Sequence, residues 1–183
     1  MALGLSFTGR VADSGTTHSS RGVGLAWRFG HSGTGWGVGA GLGWYATDVD
    51  QSVAGLRTDV GELKIKPLMA GYGYTYSFGR TAVSAELLGG FAFVSFSQSP
   101  GVADVYRDRL GARAVAVHSG NTFVLRPQTN VWIDMTRRVG LNLSLGYGVA
   151  RPKLTTRTSL GEETHRVSAD MVILSAGVVY KIF

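Results

Sequence analysis

The sequence predicts an all-β chain closed into a membrane-spanning barrel of eight antiparallel, up-and-down strands. Three observations predict it. Segment after segment alternates large apolar with small or polar residues, the period-two signature of a strand. Gly is abundant, 27 of 183 residues, while charged residues make up only 16%. The connections between the alternating segments are long and short by turns, the pattern of external loops and periplasmic turns.

Each strand sorts into two rows. Leu3, Leu5 and Phe7 alternate with Gly4, Ser6 and Thr8, and Arg10 continues the polar row. Val23, Leu25, Trp27 and Phe29 oppose Gly22, Gly24, Ala26 and Arg28. Trp36, Val38, Ala40, Leu42 and Trp44 alternate with glycines. Over Pro67 to Phe78, Leu68, Ala70, Tyr72, Tyr74, Tyr76 and Phe78 oppose Met69, Gly71, Gly73, Thr75 and Ser77. Val83, Ala85, Leu87, Phe91 and Phe93 then oppose Ser84, Glu86, Gly90 and Ala92. Val131, Ile133 and Met135 oppose Arg126, Gln128, Asn130 and Asp134, with Trp132 the odd member of the polar row. Val139 to Ala150 sorts without exception. The last strand, about Val167 to Ile182, has a clean apolar row through Val172, Leu174, Val178 and Tyr180. Its other face carries Met171 and Ile173, which are not polar.

A helical span is excluded, because no stretch approaches the ~18 uninterrupted apolar residues it needs. The remaining spanning solution is a closed barrel, in which every backbone group bonds to a neighbouring strand. A soluble barrel would carry charged residues on its solvated row. Here the row opposite the large apolars is mostly Gly, Ser and Ala, which suits a narrow lumen. Residues 1–183 thus read as one barrel domain.

The long polar connections are residues 12–20, 47–62, 98–122 and 151–165; His31 to Gly33, Gly79-Arg80 and Arg137-Arg138 are tight. Both termini are therefore expected in the periplasm, with Met1 a start placed on a mature sequence whose export signal was removed. The segment Ala112 to Val117 is too short to span and reads as a hairpin arm above the membrane, beside a short helix over 102–110. Phe29, Trp36, Tyr76, Phe78 and Tyr180 would ring the periplasmic interface, and Trp44, Phe91, Phe93 and Tyr147 the external one, where amphipathic rings suit the headgroup zone.

This rhythm, with the ending Gly177-Val178-Val179-Tyr180-Lys181-Ile182-Phe183, resembles the small outer-membrane barrels of the OmpA-domain, OmpX and opacity-protein type. The resemblance covers essentially the whole chain. It implies recognition of the last strand by the barrel-insertion machinery; here Tyr180 and Ile182 share one face and Phe183 falls on the other.

Arg10, Arg28, Glu86, Arg126, Gln128, Asn130 and Asp134 are expected to point into the lumen. Ionised groups confined there need partners, Glu86 with Arg28 or Arg126 and Asp134 with Arg28. They form either a self-satisfied polar plug or a narrow polar pore. The net charge of +6 gathers near external strand ends at Lys64, Lys66, Arg113, Arg126, Arg151, Lys153, Arg157 and Arg166, as a lipopolysaccharide-binding rim or as ordinary solvated charge. Nucleic-acid binding is not expected despite the high pI. His18, His31, His118 and His165 supply neither the His-Ser spacing of outer-membrane deacylases nor a metal-ligand pattern. With no cysteine, disulfides and thiolate sites are out. The sequence therefore favours a non-enzymatic, cofactor-free, monomeric outer-membrane protein acting structurally or through its loops, with a small polar pore or uptake channel as the alternative and a lipid A-modifying membrane enzyme third.

Overall fold

A computed structural model describes residues 2–12, 20–30, 33–53, 56–111 and 115–182. Side chains at 10, 12, 20–21, 27–30, 51–53, 56–58, 109–110 and 115 lie outside that description.

Eight strands close the barrel: β1 (Ala2–Ala12), β2 (Ser20–Gly30), β3 (Gly35–Val53), β4 (Leu56–Phe78), β5 (Thr81–Gln98), β7 (Thr122–Asp134), β8 (Val139–Ala150) and β11 (Met171–Lys181). Each pairs antiparallel with its neighbour in the barrel, and β1 closes on β11 from Ala2↔Lys181 to Ala12↔Met171. No sheet edge is left at membrane depth, as a lipid-facing wall requires. The period-two pattern sets which residues face out. Leu68, Tyr72, Tyr74, Tyr76 and Phe78 are exposed on β4, and Leu141, Leu143 and Leu145 on β8. Val172, Leu174, Val178 and Tyr180 are exposed on β11, while Met171, Ile173 and Val179 are buried. The apolar row of the last strand therefore faces out, and Met171 and Ile173 point into the lumen. An exterior covered with exposed aromatic and aliphatic side chains belongs in lipid, since a water-facing wall would carry charge.

The tight turns lie at one end. Gly79 takes φ +64° there, a left-handed conformation open to glycine, and Thr136 Oγ1 accepts from the Val139 N–H at 3.0 Å.

The other end differs from the sequence expectation. The connection over 47–62 is largely strand: β3 and β4 continue past the band as a hairpin, with a register shift between Val49 and Asp50. Its polar composition hid the alternation, but Thr47, Val49, Val60 and Leu63 turn inward and are buried. The arm within 112–117 is β6 (Val115–Ser119), and its partner comes from a different connection. The stretch 151–165 is not a loop but the hairpin of β9 (Lys153–Thr158) and β10 (Gly161–Arg166), and β6 adds to it in the order β10-β9-β6. The helix α1 (Val102–Leu110) forms where the sequence places it, stopped by Gly111 at φ +69°. Val102 and Tyr106 of α1 pack with Val49, Leu63, Ile65, Val94, Leu154 and Met171 in one buried cluster. This cluster roofs the long-loop end.

Two places in the wall lack a rung. Between β3 and β4 the pairing runs to Leu42↔Leu68 and resumes at Tyr45↔Ile65, skipping Pro67. Between β7 and β8 it stops at Leu125↔Val149 and resumes at Gln128↔Gly146, skipping Pro127. The cause is the same at both, because proline has no N–H to donate to the ladder.

Candidate functional site

The lumen has two zones. Toward the short turns, small polar residues are buried and bonded to one another. Ser175 Oγ donates to Thr8 Oγ1 at 3.1 Å, and Asn130 Nδ2 donates to Ser84 Oγ at 3.1 Å. Ser84 Oγ in turn donates to Glu86 Oε1 at 3.2 Å, and Gln128 Nε2 to Glu86 Oε2 at 3.0 Å. Both carboxylate oxygens thus have donors, which offsets the desolvation of the charge.

The cross-strand register explains the choice of partner. Glu86 stands directly opposite Gln128, whereas Arg126 stands opposite Leu88. Directly opposed side chains are closer than diagonal ones, so Gln128 reaches Glu86 first. The expected Glu86–Arg126 ion pair does not form. Arg10 and Arg28 occupy strand positions whose side chains lie outside the described residues. Asp134 pairs with Lys181 Nζ, a residue the sequence pattern did not single out. Parity could have found it, because Lys181 shares the inward row of Val179. Trp132 does fall on the lumen row and lines the cavity on the short-turn side of Asn130 and Ser84.

Toward the long loops the lumen turns apolar. Met69, Leu88, Ala92, Val124, Ala150, Met171 and Ile173 are all buried there. A cavity of about 80 Å³ joins the zones, touching Glu86, Gln128 and Trp132 at its floor and Leu88, Val124, Met69 and Pro67 higher up. Arg126 lines it at the boundary, and its buried Nε has no hydrogen-bond partner. Gly73 lies beside the floor: a Cβ there would meet Glu86 Cγ at 2.4 Å and the Ala85 carbonyl at 2.5 Å, so the site needs a residue without one.

The rim cations differ among themselves. Lys64 pairs with Glu62 at 3.2 Å, Arg151 with Asp170 at 3.5 Å and Arg157 with Glu162 at 2.8 Å. Lys66, Lys153 and Arg166 are exposed, and Arg113 lies outside the described residues. Of the aromatic residues, Trp36, Trp44, Tyr76, Phe78, Phe91, Phe93 and Tyr180 are exposed on the exterior; Tyr147 is half-buried, and the Phe29 side chain is not described. Trp36 stacks on Tyr72 with ring centroids 5.3 Å apart. His118 and His165 are exposed at the long-loop end, with His165 Nε2 2.7 Å from Glu163 Oε1. His18 and His31 lie outside the described residues.

Solved structures decide the fold. OprG from Pseudomonas aeruginosa superposes with a TM-score of 0.80 at 14% identity, over 98% of this chain and 93% of its own. This is the fold of the small outer-membrane β-barrels. A major outer membrane protein from Thermus thermophilus (TM-score 0.61, 12% identity, 98% and 99% coverage) shares it. So does the Neisserial surface protein A, with a TM-score of 0.58, 13% identity, and 99% and 96% coverage. No protein-family model matches the chain, and no curated protein does. The outer-membrane barrel fold and the apolar exterior agree on a bacterial outer-membrane setting.

Proposed function

We propose that this outer-membrane barrel is a conduit for small, largely apolar molecules, which pass the roof of the long-loop end when it opens and leave sideways through the wall at Pro67. One observation carries the reading: a single cavity touches both the polar plug at Glu86 and the missing rung at Pro67, and apolar side chains line it between them. The plug opposes straight passage, because an apolar molecule gains nothing by displacing bonded polar groups. The wall at Pro67 lacks a ladder bond, and lipid lies outside it. Pro127 marks the other missing rung, but it faces out and does not line the cavity. In this reading the long loops face the exterior, and the short turns and both termini face the periplasm.

The test is uptake of a monoaromatic hydrocarbon by cells producing the protein. Pro67→Ala restores an N–H to the ladder and should cut uptake several-fold, while Pro127→Ala leaves it unchanged. Equal uptake in all three proteins removes the side exit.

A second role, contact with lipopolysaccharide and other surfaces through the long-loop end, has its own support. Lys66 and Lys153 are exposed cations, and all six residues of the strand β10 are exposed beside its edge, which is unpaired among the described residues. Charge reversal at Lys66 and Lys153 should weaken lipopolysaccharide binding; unaltered binding removes this role.

A further inference from the structure

Arg126 is a lumen cation whose placement the conduit reading does not use. It sits where the apolar zone meets the polar one, and its side chain lines the cavity. Its Nε is buried without a hydrogen-bond partner. Among the described residues no carboxylate lies within ion-pair distance of it. Tyr45 and Glu86 are its electrostatic neighbours, and the oxygens of Glu86 already accept from Ser84 and Gln128. A buried guanidinium donor with no acceptor is costly unless something completes it. The group that best completes it is a carboxylate, whose two oxygens match the guanidinium fork.

Around Arg126 the cavity walls are Leu88, directly opposite it, with Val124, Met69 and Ile173, all buried. They offer a hydrocarbon tail contact and offer a second charge none. The cavity volume of about 80 Å³ holds roughly six water-sized groups, at 10–15 Å³ for each water. That limits the tail to a short chain.

We propose that the cavity selects short-chain organic acids, holding the carboxylate on Arg126 and the hydrocarbon tail among Leu88, Val124, Met69 and Ile173. The proposal rests on the conduit reading and extends its substrate class from apolar molecules to small amphiphilic anions with a hydrocarbon tail.

Two probes small enough for the cavity, butanoate and 1-butanol, are titrated at pH 7 by calorimetry into the refolded protein in phosphatidylcholine nanodiscs, with protein-free nanodiscs as the background. The acid should bind about tenfold or more tighter than the alcohol, the scale of one charge-assisted hydrogen bond. Arg126→Met should erase that preference while the alcohol still binds, and Arg126→Lys, which keeps the charge, should retain much of it. Glu86→Gln should increase the preference, since it removes a neighbouring negative charge. Equal binding of acid and alcohol to the unmodified protein, or an unchanged preference in Arg126→Met, overturns the anion site and leaves the conduit standing. Binding of neither probe overturns both.

Discussion

Glu86 illustrates how a charge is kept in a narrow lumen. Its two oxygens accept from Ser84 and Gln128, and Asn130 bonds to the same Ser84, so three strand positions are tied through one carboxylate. Glu86→Gln leaves one carbonyl acceptor where there were two carboxylate oxygens, and it sets an amide N–H₂ against a donor. The expected loss is about 1–3 kcal/mol, read as a lower urea midpoint in lipid; an unchanged midpoint would show that Glu86 does not hold the plug. The inward position of Glu86, Gln128 and Asn130 was legible in the sequence, because parity along a strand is local information. The identity of Glu86's partner was not. It depends on the register between β5 and β7, which are separated by a 23-residue connection (99–121). Arg126, left out of that bonding, is the residue on which the anion selectivity proposed above depends.

Among the elements, the barrel strands were legible and the long-loop end was legible only in part. A period-two row of large apolars against small residues, recurring along the whole chain, leaves little besides a membrane-spanning sheet. The hairpin made by β3 and β4 beyond the membrane keeps the same period but dilutes it with Asp48, Asp50, Asp59 and Glu62, so it reads as loop. The helix α1 was foreseen from its local pattern. The pairing of β6 with β9 was not, since it joins two connections distant in sequence and no local signal encodes it. Tyr106 of α1 is buried in the roof, where desolvation, and then the charge of Glu163, raises its pKa above the ordinary value of 10.0. The folded state therefore holds the phenol proton more tightly than the unfolded chain. The stabilisation is complete below pH 10 and is lost as the pH rises through the folded value. Protection of the α1 amides in hydrogen exchange should fall above pH 10 in the natural chain and stay flat in Tyr106→Phe. The same fall in both proteins would assign it to another group.

For the whole molecule, three features act together: a closed wall with an apolar exterior, a lumen apolar at one end and plugged with polar groups at the other, and a missing rung beside the apolar half. The wall and its exterior follow from sequence pattern, because closure is the only way to satisfy backbone groups in lipid. The two-zone lumen was only hinted at, by Met171 and Ile173 on a face expected to be polar. Met69, Leu88 and Val124 complete the apolar zone from three other strands, and only the folded barrel brings them to one level. Pro67 was visible as a residue, but its effect depends on which neighbour lacks its N–H.

The most direct test of the conduit is a reversible staple across the break. The printed pairs on either side of the break, Leu42↔Leu68 and Tyr45↔Ile65, set Trp44 across from Lys66, and opposed strand positions approach closely enough for a disulfide to be tried. The chain has no cysteine of its own, so Trp44→Cys with Lys66→Cys gives a single, defined bridge. Hydrocarbon uptake should be lost in the oxidised double variant and return on addition of reductant. Uptake that is the same before and after reduction, with the bridge shown to be formed, would contradict a side exit at Pro67.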